Sequence, residues 1–336
     1  MALARAPASE AEAVLEQALR EPTTRRAAVR ASVVRALALG RTVSGLSAAL
    51  GALSASHDPS DRALFVQASA LVSRSDVATL LKRATSVELR ALSRCALLPG
   101  VSRALAERLA TEPNPSLRDA LAAGLSSLES AELVPSDVLL DLIEARGLGA
   151  PLAARALSAR DSRSLRPKLL ALLASDDALL RSQVALGLGH SSESSALGIL
   201  SDAYRFETDA GVRLAIVRAL AIRPEPVRER TLRLARNLDA SRSVREAALL
   251  ALSGAAPAPH LPGPESVWLE LRSAGAAAPE AGGTVVRGAL LVTPSGLALP
   301  AFADPDGVLL LPALESGPFE LRLAAEARTD NAENRP

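Results

Sequence analysis

Asp177-Ala-Leu-Leu-Arg181-Ser-Gln-Val-Ala-Leu-Gly187-Leu-Gly189 is one copy of a phrase that this chain writes several times. It returns as Asp209-Ala-Gly-Val-Arg213-Leu-Ala-Ile-Val-Arg-Ala-Leu220 and as Ser241-Arg-Ser-Val-Arg245-Glu-Ala-Ala-Leu-Leu-Ala-Leu252. Earlier copies read Asn114-Pro-Ser-Leu-Arg118-Asp-Ala-Leu-Ala-Ala-Gly-Leu125 and Ser86-Val-Glu-Leu-Arg90-Ala-Leu-Ser-Arg-Cys-Ala-Leu97. Anchored on the residue before the Arg, eight units start from Thr24, Asp61, Leu89, Leu117, Leu152, Leu180, Val212 and Val244. Their spacing averages about 31 residues, a period that belongs to tandem supersecondary units which bury their apolar faces against one another.

Each unit reads as two helices. The second carries the phrase, with Leu180, Val184 and Leu188 on one helical stripe. The first is a shorter amphipathic run such as Ser136–Ala145, with Ser136 as its expected N-cap and Gly147 and Gly149 as terminators. Breakers fall between runs at Asp58-Pro59, Pro113-Asn114-Pro115, Pro135 and Pro224-Glu225-Pro226. The expected fold is mainly α: a right-handed α-solenoid of about eight hairpins over residues 1–253. The first and fifth units are degenerate. The fifth, around Gly147–Ala153, has lost its Arg and is the expected place for a change of curvature.

Asp177 to Gly189 resembles HEAT repeats, in particular the short type found in phycobilisome-lyase-like HEAT proteins, whose second helix opens Asp-x-x-Val/Leu-Arg and continues Ala-Ala-x-Ala-Leu-Gly. The resemblance covers about three quarters of the chain and implies a solenoid used by scaffolds, adaptors and a few enzymes. The recurrent residues themselves read as structural. An Asp at a helix start accepts orphan amides and complements the dipole. Arg90, Arg118, Arg181, Arg213 and Arg245 are expected to bridge to the acidic cap of a neighbouring unit as a ladder. The Ala and Gly positions let helices approach closely.

Beyond Gly254 the composition changes. Residues 254–264 read as a Pro/Gly/Ala-rich linker, and 265–327 as a small all-β sandwich. Its expected strands are Val267–Arg272, Thr284–Val292, Val308–Leu311 and Phe319–Leu323, with turns at Pro294-Ser-Gly296, Asp304–Gly307 and Ser316–Pro318. The run Pro294–Leu323 resembles carboxypeptidase-regulatory-like, transthyretin-type sandwiches, although Val308 replaces an aromatic and Gly317-Pro318 inverts the usual order. Residues 328–336 read as a disordered tail.

The chain has 336 residues, 49% apolar and only 2% aromatic, so its core must be Leu, Ala and Val. Residues 1–255 hold 33 Lys+Arg against 27 Asp+Glu, and residues 256–336 hold 5 against 10, which balances +6 against −5. That excess is too small to argue for nucleic acid. The lone Cys95 excludes an internal disulfide and sits on an apolar stripe. His57, His190 and His260 are far apart, and no metal-spaced pair, phosphate loop or nucleophile elbow appears. No catalytic, metal or cofactor residues are expected, and the chain is read as a non-enzyme.

One surface feature stands out: Arg223, Arg228, Arg230, Arg233 and Arg236 crowd one region as a candidate anion-binding patch for the acidic C-terminal part of this or another copy. The functional expectation is a scaffold or adaptor that binds a protein or peptide partner along the solenoid surface. The alternatives are a lyase-type accessory protein for a tetrapyrrole or protein-bound cofactor, and a cell-envelope structural protein. With no membrane span or signal peptide in the sequence, a cytoplasmic location is expected, or the envelope if the start lies upstream.

Overall fold

The computed structural model describes residues 101–254 apart from 161–162 and 224–225, the segments 265–270, 288–302, 308–314 and 317–323, and a few single positions before residue 97. Arg90, Cys95, His57 and His260 lie outside the described residues. So do the hairpins expected before residue 100, most of the linker and the tail. Within the described residues the chain is mainly helical, with a small three-stranded antiparallel sheet and one further strand pair.

The helices run α1 Val101–Leu109, α2 Pro115–Leu121, α3 Leu128–Ala131, α4 Ser136–Glu144, α5 Ala150–Ser158, α6 Arg166–Leu173, α7 Ala178–His190, α8 Ser194–Phe206, α9 Ala210–Ile222, α10 Pro226–Leu238 and α11 Arg242–Leu252. A 3-10 turn, Ala122–Ser126, prolongs α2. The repeated phrase makes α2, α7, α9 and α11, and its acidic residue does what a cap must. Asp177 Oδ1 accepts the amides of Leu179 (2.9 Å) and Leu180 (3.2 Å), and Asp209 Oδ1 accepts that of Val212 (3.0 Å).

Ser136 does not cap. Pro135 takes the cap position, and the Ser136 hydroxyl instead accepts Arg160 Nη1 at 2.6 Å. The glycines at 147 and 149 do not end α4 either. It stops at Glu144, the chain reverses through Arg146 at φ 53°, and Gly149 opens α5. Asp119 holds that loop by accepting the Gly149 amide at 3.0 Å.

Alternate helices pack in a row, α5 on α7, α7 on α9 and α9 on α11, while α8 and α10 pair on the other side. The core they share is aliphatic. Leu105, Leu109, Leu121, Leu139, Leu152, Leu157, Val184, Ile216 and Leu220 are buried in one continuous cluster. Within α7, Gly187 and Gly189 set the approach to both neighbours. A Cβ at Gly187 would run into the Arg155 carbonyl and the Ser158 hydroxyl of α5. One at Gly189 would lie 2.7 Å from Ala219 Cα of α9.

The strands are β1 Glu265–Glu270, β2 Gly288–Val292, β3 Ala298–Phe302, β4 Val308–Leu314 and β5 Glu320–Leu323. β1 pairs with β4, and the other three form an antiparallel sheet in the order β3-β2-β5. The sequence reading missed β3 because Pro300 interrupts its ladder. Pro300 is tolerated because β3 is an edge strand, and it stands opposite Leu290. Leu297 and Leu299 are buried in the same cluster as the helix side chains, so the β2–β3 hairpin is packed on the helices. No described helix is long and apolar enough to cross a membrane.

Candidate functional site

The recurrent arginines make two kinds of contact. Each of the four described ones reaches back to a carbonyl six residues earlier: Arg118 Nε to Glu112 O (2.8 Å), Arg181 Nη1 to Ser175 O (2.7 Å), Arg213 Nη1 to Glu207 O (3.3 Å) and Arg245 Nη1 to Asp239 O (2.6 Å). Three also reach forward to the next unit. Arg181 grips Glu207 with two bonds of 2.9 Å, Arg213 grips Asp239 at 2.8 and 3.1 Å, and Arg118 meets Asp141 at 3.0 Å. The acid in the first two pairs is not the helix cap. Glu207 and Asp239 stand two residues before the cap positions Asp209 and Ser241, and each accepts the cap residue's amide at 2.8 Å. One carboxylate therefore ties the previous unit's guanidinium to the turn that starts its own helix.

Burial opposes ionisation of Asp239, but the bonds from Arg213, Tyr204 and the Ser241 amide outweigh it and hold the carboxyl below the ordinary carboxylate value. Glu207 is lowered in the same way, against burial, by Arg181 and by the amides of Asp209 and Thr208. The Tyr204 phenol is pushed up, by burial first and then by donating to Asp239 at 2.6 Å. Because the unfolded carboxylates take up protons first as the pH falls, this stability is present above about pH 4 and is lost as the pH drops through the lower folded values. Denaturation midpoints measured from pH 6 to pH 2.5 should fall steeply below pH 4, and Glu207→Gln should flatten that slope. An unchanged slope in the variant would remove Glu207 from the account.

The five arginines of the expected anion patch divide. Arg223 Nη1 caps the preceding units by donating to Ser191 O (2.6 Å) and Glu193 O (3.1 Å), and Arg228 Nη1 donates to Ala221 O (2.9 Å) at the end of α9. Arg230, Arg233 and Arg236 are exposed on α10, where Arg233 pairs with Glu229 and Arg236 bonds Asn237. The β2–β3 hairpin, which carries no acidic residue, is seated elsewhere, on α7 and α9.

That seat is the β2–β3 turn. Gln183 Nε2 of α7 donates to Gly296 O at 2.6 Å, and a Cβ on Gly296 (φ 89°) would lie 3.1 Å from Arg218 Nη1 and 3.3 Å from Leu186 Cδ1. The turn is braced by Gly296 N to Thr293 O (2.8 Å) and Leu297 N to Thr293 Oγ1 (3.1 Å). Behind it, β3 packs against α2, the 3-10 turn and α5. On α5, Arg155 holds the place that Gln183 holds one unit later. Its Nε and Nη1 are buried without a hydrogen-bond partner, as is Gln183 Oε1. Burial lowers the Arg155 guanidinium to about 10. Desolvation, with the Arg155 charge second, pushes His190 down to about 4, so this imidazole is neutral at physiological pH. A separate cavity of about 20 Å³ lies among Arg166, Leu169, Leu188, Glu193 and Ser195, which is room for a water molecule.

No family model matches this chain, and no curated protein does. Among solved structures it is similar to human deoxyhypusine hydroxylase in complex with glycerol, at 18% identity and a TM-score of 0.32, over 74% of this chain and 96% of that one. That neighbour is by name an enzyme, and the expectation that this chain is not one is corrected accordingly. At this score the likeness assigns the chain no reaction.

Proposed function

We propose that the repeats build a right-handed, HEAT-like α-solenoid whose surface is a scaffold for a protein or peptide partner. The observation that carries this reading is the row α5-α7-α9-α11, in which bidentate Arg–carboxylate bonds clamp the α7 unit to the α9 unit and the α9 unit to the α11 unit. Neighbour-to-neighbour locking of this kind holds a long face in one shape, and a preformed face loses less entropy on binding than a flexible one. Exposed Arg230, Arg233 and Arg236 on α10, outside that row, add a second surface whose positive charge suits an acidic partner.

The test is affinity purification of the tagged full-length chain at several salt concentrations. A partner recovered near one-to-one, with a yield that falls as salt rises and in the Arg230→Glu/Arg233→Glu double variant, is the expected result. Recovery of no stoichiometric partner under any condition overturns the reading.

A further inference from the structure

We infer that α11, the last helix of the row, is a docking end for a helix of another protein, one that opens with a carboxylate two residues ahead of its N-cap. The inference rests on the scaffold reading and names one place on that scaffold with the chemistry of what docks there.

Position for position, α7, α9 and α11 carry the same forward-facing stripe. Arg181, Arg213 and Arg245 correspond, as do Ala185, Val217 and Leu249 four residues later. On α7 the stripe continues to Gly189, which sits against Ala219 of α9, so it faces the next unit. In α7 and α9 the stripe is covered. Arg181 and Arg213 use Nη1 on a carbonyl six residues earlier, and Nε with Nη2 on a carboxylate of the next unit. Ala185 and Val217 are fully buried. In α11 the stripe is exposed. Arg245 Nη1 donates to Asp239 O (2.6 Å) and Ala240 O (2.9 Å), but its Nε and Nη2 meet no carboxylate among the described residues. Glu246, the one acid of α11, pairs with Arg242 of the same helix. Leu249 is 52% exposed, and Leu250 beside it is 58% exposed.

A stacked repeat array needs a polar outer face on its terminal unit, because no neighbour covers that face. α11 instead presents two leucines beside a guanidinium that is anchored through Nη1 as its counterparts are. The chemistry that fits such a face is written twice in the same row. Glu207 and Asp239 each stand two residues before a helix cap and accept the cap residue's amide at 2.8 Å. Each also takes the Nε and Nη2 fork of the preceding unit's Arg. A ligand for α11 repeats that pattern: an acid, one residue, a capping residue, then an amphipathic helix. Its carboxylate meets the Arg245 fork, and its apolar stripe covers Leu249 and Leu250.

The probes are a synthetic peptide of residues 237–253, the segment that α9 already receives in this chain, and its Asp239→Asn form. Binding to the full chain is measured by fluorescence anisotropy. The Asp239 peptide should bind at least tenfold more tightly than the Asn form. Arg245→Met in the full chain should remove that preference, and Leu249→Gln should weaken both peptides alike. Arg242→Met, on the same exposed stripe, should leave both affinities unchanged. Hydrogen exchange of the 242–252 amides should slow when the peptide binds. The inference is overturned if neither peptide binds, if the two bind equally, or if the preference survives Arg245→Met. Faster exchange in 242–252 overturns it too, because the peptide would then be displacing α11 from α9. So does a wild-type oligomer, seen by sedimentation, that Leu249→Gln dissociates, because a second copy would then cover this end. No cellular partner is needed for any of these readings, so their failure is distinct from a failed affinity purification.

Discussion

Asp239→Ala is expected to lower the unfolding free energy of the chain by about 3–5 kcal/mol, the range for removing one partner of a buried ion pair. The side chain of Asp239 is 2% exposed and that of Arg213 is 15% exposed, so neither group is rescued by water. Four bonds end on this carboxylate: two from Arg213, one from the Tyr204 hydroxyl and one from the Ser241 amide. Its loss strands a guanidinium and a buried phenol, and it unties α9 from α11. Urea denaturation of the full chain measures the effect. Asp202→Ala is the control, because its partner Arg205 is 3.5 Å away and the two side chains are 50% and 71% exposed. Pairs of that kind contribute roughly 0–1 kcal/mol. Equal losses in the two variants would show that the ladder does not carry the stability assigned to it.

Gly189→Ala should destabilise the chain by about 1–3 kcal/mol, although replacing a mid-helix glycine by alanine ordinarily stabilises by up to about 1 kcal/mol. The sign reverses because the new methyl has backbone on its other side. It would sit 2.7 Å from Ala219 Cα and 2.8 Å from Ala219 O, and neither atom can turn aside as a side chain can. Either α9 moves outward or α7 bends. Gly198→Ala on α8 gives the comparison, since nothing lies within 4 Å of a Cβ there, and it should gain about 0.5–1 kcal/mol. Thermal melts of the two variants should therefore shift in opposite directions. A gain at both positions would refute the close approach of α7 and α9.

The helices that carry the phrase were legible because their signals are local. Asp177 and Asp209 bond amides two or three residues away, and Leu180, Val184 and Leu188 mark one stripe without any help from distant chain. The reading failed where a neighbour changed the meaning of a residue. Ser136 looks like a cap until Pro135 takes that place and Arg160 claims the hydroxyl. The ladder acids were assigned to the caps, but Glu207 and Asp239 do the work two residues earlier, where the preceding arginine can reach both carboxylate oxygens. β3 was lost because Pro300 argues against a strand, and only its place at the sheet edge makes it acceptable.

Over residues 101–254 the sequence by itself determined the helices that carry the phrase, their order and the register of their arginines, since hydrogen bonds and apolar stripes within about thirty residues suffice for all three. Only the tertiary structure decided that the β2–β3 turn is seated on α7, that Gln183 meets Gly296 across 113 residues, and that Arg155 Nε and Nη1 on α5 are buried without a hydrogen-bond partner. Those facts depend on which surfaces are left over after the units have stacked. No local pattern of hydrophobicity or charge encodes that remainder, because it is a property of the packed row and not of any one repeat.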